Sequence, residues 1–174
     1  MRRRIAAIAL SSLCTAVQAE AYSNDPIATL HIVSSLTKGN LLELKFIENK
    51  TCLKSGSGFV NPEQRSSNFS LVTTYQLSRV NNNCPFLAGS YIRYDRNDKS
   101  PASAAMTLQL DTKNTCITAK LVSNEFPNLK KVSGTHPHSY SLEGEYIGVT
   151  RNSFSFLAAD PPETCIVSVI FDVN

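Results

Sequence analysis

The sequence predicts an all-β fold: a single-domain antiparallel β-sandwich or up-and-down β-barrel of about eight to nine strands, with two disulfides. Three observations support this prediction. Apolar and polar residues alternate with a period of two along most of the chain, turn-forming residues separate the alternating runs, and the cysteines become even in number once an N-terminal export signal is set aside.

The alternation is clearest between residues 69 and 79. There Leu71 and Tyr75 fall on one side of an extended chain, and Ser70 and Gln76 fall on the other. Such a run is typical of a half-buried strand. The same criterion places strands at 28–36, 41–49, 69–79, 86–94, 104–111, 115–123, 139–149, 153–158 and 165–173.

Turn signals separate these strands, at 38–40, 112–114, 150–152 and 160–162. Several of the connections are short, so the pattern favours antiparallel hairpins between consecutive strands.

The N-terminus reads as a cleavable signal peptide that covers residues 1–19, or 1–21. Three arginines follow Met1, an uncharged and mostly apolar run extends over residues 5–17, and small residues precede both cleavage positions. The apolar run is shorter than the roughly 20 residues of a spanning helix. We therefore expect export to the periplasm or the outside, and a single all-β domain over residues 20–174.

Removal of the signal changes the charge balance. Without Arg2, Arg3 and Arg4, Lys plus Arg falls from 17 to 14, which equals the 14 Asp plus Glu. The net charge is then zero, or +1 if Glu20 is also removed. The apparent basicity belongs to the export signal, so it gives no support to nucleic-acid or anionic-membrane binding.

Cysteine number changes as well, because Cys14 leaves with the signal. Four cysteines remain, which in an exported chain predicts two disulfides, although three connectivities are open. Because hairpin neighbours tend to be neighbours in space, we predict the pairs Cys52–Cys84 and Cys116–Cys165.

Two segments echo each other, Leu87–Ile92 and Leu142–Ile147, and both read L-x-G-x-Y-I. In each case a further strand, a turn and Thr-Cys-Ile follow. The competing interpretation is coincidence among β-patterned residues; if the echo is a true repeat, Gly89 and Gly144 occupy matching bends in matching strands.

These strands resemble those of calycin-type barrels, the lipocalins and avidins, whose strands carry Gly-x-aromatic signatures. The resemblance covers a few residues only, and the chain has no Trp, which those families use at the barrel base or in the ligand pocket. It implies a barrel cavity for a small ligand, with Tyr91 and Tyr146 as candidate ligand-binding residues.

The most suggestive chemical motif is His136-Pro137-His138. Two imidazoles at this spacing in a loop can reach one metal ion, and His31 or Glu143 would complete the set. The competing interpretation is an exposed polar loop.

A second candidate is the carboxylate pair Glu143 and Glu145, two residues apart on one face of a predicted strand. Their spacing of roughly 7 Å suits paired acid and base groups. The competing interpretation is a solvated outer face, because charged residues rarely point into a core unpaired.

The sequence contains no G-x-S-x-G, phosphate-binding loop or H-E-x-x-H. We therefore expect a non-catalytic binding or interaction protein, without a cofactor, whose partner is another protein or a small ligand outside the cytoplasm. The alternatives are a small-ligand carrier with a calycin-like barrel, and a hydrolase or metal-binding protein that uses the loop of His136 and His138.

Overall fold

The computed structural model describes residues 24–60, 69–96, 102–134, 138–159 and 164–173. The signal peptide, its cleavage sites and Cys14 lie outside these ranges. The described residues form three helices and nine strands, in the order α1 Pro26–Thr37, α2 Leu44–Lys50, β1 Leu53–Ser55, β2 Phe59–Val60, β3 Phe69–Arg79, β4 Phe86–Arg96, β5 Ser103–Leu110, α3 Ala119–Glu125, β6 Lys130–Ser133, β7 Ser139–Ile147, β8 Arg151–Ala159 and β9 Ser168–Val173.

All nine strands belong to one antiparallel sheet with the order β1-β3-β4-β5-β9-β8-β7-β6, and β2 pairs with β3 beside β1. Consecutive hairpins build β3–β4–β5 and β6–β7–β8–β9, and the pairing of β5 with β9 joins the two groups. The sheet curls into a half-barrel. The predicted antiparallel all-β fold with two disulfides is thus confirmed.

Three predicted strands are wrong, because 28–36, 41–49 and 115–123 contain helices. Helix α1 has Asp25 as its N-cap residue. The Oδ2 atom of Asp25 accepts a hydrogen bond from the N–H of Ala28 at 2.9 Å, and Pro26 follows in the first turn. An acidic N-cap followed by proline is a helix-start signal that the alternation concealed. Likewise, the Thr118 hydroxyl accepts from the N–H of Leu121 and starts α3.

The helices contribute to the same core as one face of the sheet. Leu30, Val33 and Leu36 follow the three-residue spacing of a helix face and are buried with sheet residues such as Phe156 and Phe171. We call this side of the sheet the covered face. The other core residues of the sheet include Leu77, Tyr91, Met106, Leu108, Leu142, Phe154, Val169 and Val173.

Both predicted disulfides are present. The Cα atoms are 5.5 Å apart in Cys52–Cys84 and 5.0 Å apart in Cys116–Cys165. These distances lie within the roughly 7 Å that a disulfide tolerates. The first bridge links the residue before β1 to the segment before β4. The second bridge links the segment before α3 to the segment before β9.

The two echoing segments lie in β4 and β7. Gly89 pairs with Leu108, and Gly144 pairs with Phe154. A Cβ on Gly89 would lie 2.7 Å from the carbonyl oxygen of Thr107, so a side chain has no room there. The two Thr-Cys-Ile segments that follow these hairpins are joined to each other by the second disulfide.

Candidate binding face

The side of the sheet opposite the core carries small and polar residues. One register row crosses six strands and reads Gln76, Ser90, Thr107, Ile170, Ser155 and Glu143. These side chains are exposed or partly exposed, whereas their neighbours along each strand point into the core. We call this side the open face.

A groove of about 610 Å³ crosses the open face over β6 to β9. Ser153 and Ser155 contribute short side chains from β8, in the middle of the groove. Longer charged side chains lie on either side of them: Glu143 and Glu145 on β7, and Asp172 on β9. The groove therefore arises because small residues on one strand lie between longer residues on its two neighbours.

A smaller depression of about 330 Å³ lies further along the same face, over β3 to β5. Gln76, Ser90, Thr107 and Gln109 line it. Small and polar residues thus shape the open face over both halves of the sheet.

The two predicted carboxylates do lie on the open face, where both are exposed. Each has its own polar partner. Oε1 of Glu143 accepts a hydrogen bond from the Ser141 hydroxyl at 2.6 Å, and Oε2 of Glu145 lies 3.0 Å from the Arg151 guanidinium. This geometry agrees with the interpretation of a solvated outer face.

A smaller cavity of about 210 Å³ adjoins the groove, and we call it the side pocket. It lies between the end of α1, the segment 125–129 and β7. Tyr146, Phe126 and Phe154 give it aromatic walls, and Lys38 and Glu125 add charged groups.

The two predicted ligand-binding tyrosines lie in different surroundings. Tyr91 is only 1% exposed, and its hydroxyl donates to the carbonyl oxygen of Leu42 at 3.1 Å. Burial raises the pKa of Tyr91 to about 12. Its ring also contacts that of Tyr75. Tyr91 thus fills the core, whereas Tyr146 lines the side pocket.

The predicted metal-binding loop is described only in part, because His136 lies outside the described residues. His138 is exposed in the turn before β7, with a φ of 63°. His31 lies on α1, where its Nε2 is 4.0 Å from Glu125. In the described part of the chain, no three His, Cys, Asp or Glu side chains come close enough to hold a metal. The site formed by His136 and His138 stays a prediction.

Sequence reasoning missed most of the groove. Ser153, Ser155, Asp172 and Lys130 line it together with the two glutamates. The alternation Ser153-Phe154-Ser155-Phe156 could have indicated the groove, because it places both serines on one face of the strand and both phenylalanines on the other. The contribution of Asp172 requires the pairing of Ser153 with Asp172, which only the register provides.

None of the comparisons with family models, curated proteins and solved structures finds a match to this chain. No described helix has the length and apolar character needed to cross a bilayer. Two disulfides fit a protein outside the cytoplasm, because cytosolic thiols are kept reduced. The groove of the open face, together with the side pocket on the helix side of the sheet, is the candidate site.

Proposed function

We propose that this chain is an exported, non-catalytic binding protein that contacts a partner protein through the open face of its sheet. The observation that carries the proposal is the groove over β6 to β9, which offers charged walls and a floor of small residues on a rigid antiparallel sheet. Such a surface can hold a chain segment of a partner without any rearrangement of the fold.

The surroundings of the groove support a protein partner. Val132, Ser141 and Leu157 form a register row beside it, and the two apolar side chains of this row are exposed. Apolar groups next to a polar, charged groove have the mixed character of non-obligate protein interfaces.

The inner side of the sheet gives less support to a small-ligand carrier. A calycin-like carrier holds its ligand inside the barrel, which is the side where Tyr91, Phe156 and Phe171 are fully buried. Of the two side chains that the resemblance assigned to a ligand cavity, Tyr91 packs in this core and donates a hydrogen bond to the carbonyl oxygen of Leu42, whereas Tyr146 lines the side pocket. The groove on the opposite side is therefore the preferred site.

The carboxylates of the groove also favour binding over hydrolysis. A hydrolytic pair needs one carboxyl group that holds a proton and one that stays ionised. Glu143 and Glu145 are both exposed, and each is held by its own polar partner. Both carboxylates thus lie on a solvated surface with partners from the protein itself, which favours a binding role.

The proposed location is the periplasm or the outside of the cell. Its support is the predicted signal peptide over residues 1–19, or 1–21, together with the two disulfides. The balanced charge of the predicted mature chain gives no electrostatic support to a nucleic-acid partner.

Affinity capture with a pair of charge-matched variants tests the proposal. The disulfide-bonded protein is immobilised and exposed to an extracytoplasmic extract of the source cells. Glu143→Lys changes the groove, and Glu43→Lys makes the same charge change at an exposed residue before α2. We expect a protein that binds the wild type and Glu43→Lys, and that Glu143→Lys retains at least about tenfold less, since tenfold corresponds to roughly 1.4 kcal/mol.

Thermal unfolding of both variants checks that the fold is intact. Equal retention of the partner by Glu143→Lys and Glu43→Lys would contradict the proposal, as would turnover of a substrate that requires Glu143 or Glu145.

A further inference from the structure

We propose that the side pocket receives one large apolar side chain of a basic segment in the partner, while the rest of that segment lies along the groove. This inference rests on the proposed function and adds the chemistry of the partner. It combines the size and lining of the pocket, the lining residues that it shares with the groove, the charge of both cavities and an apolar hairpin tip beside them.

Size and lining define what the pocket can hold. Its volume of about 210 Å³ lies below the roughly 300–1,000 Å³ of sites for drug-sized ligands, so it suits a single side chain. Phe126 and Phe154 have ring centroids 5.4 Å apart, and both rings face this cavity together with Tyr146. An aromatic or long aliphatic side chain would bury its surface against these rings.

The pocket lies on the helix side of the sheet and shares four lining residues with the groove on the open face. Asn128, Gly144, Glu145 and Phe154 line both cavities. Leu129 packs closely over Gly144, because a Cβ at that position would lie 2.6 Å from Cδ2 of Leu129. A partner segment that lies in the groove at Asn128 and Glu145 is therefore next to residues that line the pocket.

The charged residues of the two cavities predict which residues flank the apolar anchor in the partner segment. The residues that line the two cavities include the carboxylates of Glu125, Glu143, Glu145 and Asp172, against the ammonium groups of Lys38 and Lys130. Arg151 offsets Glu145, but it does so from outside the lining. The surplus is negative, so lysine or arginine next to the apolar anchor complements it.

The tip of the β7–β8 hairpin extends the apolar surface. Ile147 is 76% exposed and Val149 is 72% exposed. A Cβ on Gly148, between them, would lie 3.3 Å from the carbonyl oxygen of Lys38, a residue that lines the pocket. Two large apolar side chains at a turn beside an aromatic pocket are expected where a partner covers both.

Capped synthetic peptides test the inference by NMR titration of the isotope-labelled, disulfide-bonded protein. The probes are Lys-Lys-Phe-Lys-Lys, its Phe→Ala form and Glu-Glu-Phe-Glu-Glu. We expect the first peptide to shift resonances of Tyr146, Gly144 and Glu145, and to bind about tenfold more tightly than the Ala form. The acidic peptide should leave these resonances in place.

Variants then assign the binding to the pocket. Ser34 lines the pocket from α1, and Ser34→Phe should fill it and remove the advantage of Phe over Ala. Ser123→Phe adds the same ring at an exposed position of α3 and should keep that advantage. Glu125→Lys adds a positive charge at the rim and, unlike Glu43→Lys, should weaken binding of the basic peptide.

The outcomes separate this inference from the proposed function. The assignment of the apolar anchor to the pocket is wrong in three cases. The Phe peptide binds no more tightly than its Ala form, Ser34→Phe and Ser123→Phe have the same effect on that difference, or the basic peptide shifts no resonance of the pocket residues. Capture of a partner that depends on Glu143 would still stand in each of these cases. Loss of that dependence, by contrast, would overturn the proposed function.

Discussion

The two faces of the sheet differ in what their side chains contact. On β9, Phe171 points into the core and packs near Phe154, whereas Asp172, the next residue, is exposed in the groove. On β8, the buried Asn152 is followed by Ser153 of the groove. Residues adjacent in sequence therefore have different roles: the core side chains of the covered face stabilise the fold, and the side chains of the open face are available for contact.

The largest expected effect separates the two faces on β9. Phe171→Ala removes a fully buried ring and should lower the free energy of unfolding by about 3–5 kcal/mol. Asp172→Ala, one residue further, should change it by no more than about 0.5 kcal/mol. Urea denaturation of the two variants measures both values, and equal losses would remove the distinction between the faces.

A smaller effect is expected at Asn152 on β8. Its Nδ2 donates to the carbonyl oxygen of Thr37 at 2.8 Å, and its Oδ1 accepts from the Thr150 hydroxyl at 2.6 Å. Asn152→Ala leaves a buried carbonyl at the end of α1 without this donor, which should cost about 1–3 kcal/mol. Ser153→Ala is the matched control on the open face. The same stability in both variants would show that Asn152 does not secure α1 to the sheet.

The smallest expected effect on the fold is a pH dependence at Asp111. The pKa of this buried carboxyl is lowered, first by the side-chain amide of Asn114 and then by nearby N–H groups and Arg79, and burial opposes the shift. A lowered folded pKa contributes stability above the unfolded value of about 3.9, and this contribution is lost as the pH falls through the folded pKa.

The Asp111→Asn variant should therefore be less stable than wild type at neutral pH, and the difference should shrink in acid. Asp172→Asn, on the open face, is the matched control for the loss of a carboxylate, and it should leave the stability at neutral pH unchanged. Unfolding measured between pH 7 and pH 2 tests this, and a constant difference for Asp111→Asn would contradict it.

Alternation was sufficient to place most of the sheet. The predicted strands 69–79, 86–94, 104–111, 139–149 and 153–158 all overlap observed strands. Both disulfide pairs were predicted correctly, although neither joins the two strands of one hairpin. The carbonyl of Cys52 accepts from the N–H of Val80 at the end of β3, near Cys84, and an isolated bridge between Thr118 and Cys165 brings the second pair together.

Alternation failed where a local capping signal competes with it. The region of α1 looked like a strand, although Asp25 and Pro26 start a helix there.

The predicted turn at 150–152 was also misplaced. Residues 148–150 turn instead, and Asn152 is a buried strand residue that binds the end of α1. A polar residue with a buried partner distant in sequence looks the same as a turn residue in sequence alone.

The groove was predictable only in part for a related reason. Glu143 and Glu145 could be placed on one face from their spacing. Their position opposite Ser155 and Ser153, and the position of Asp172 beside Ser153, depend on registers between strands. Those registers follow from the packing of the core, which no single strand's pattern encodes.

Site-specific photo-crosslinking tests most directly whether the open face is the binding surface. A benzophenone residue is placed at Ser155, on the floor of the groove, or at Lys120, exposed on α3. After irradiation in an extracytoplasmic extract of the source cells, position 155 should give a discrete adduct that excess unmodified protein suppresses, and position 120 should give none. The same adduct from position 120, or from position 120 alone, would contradict the account.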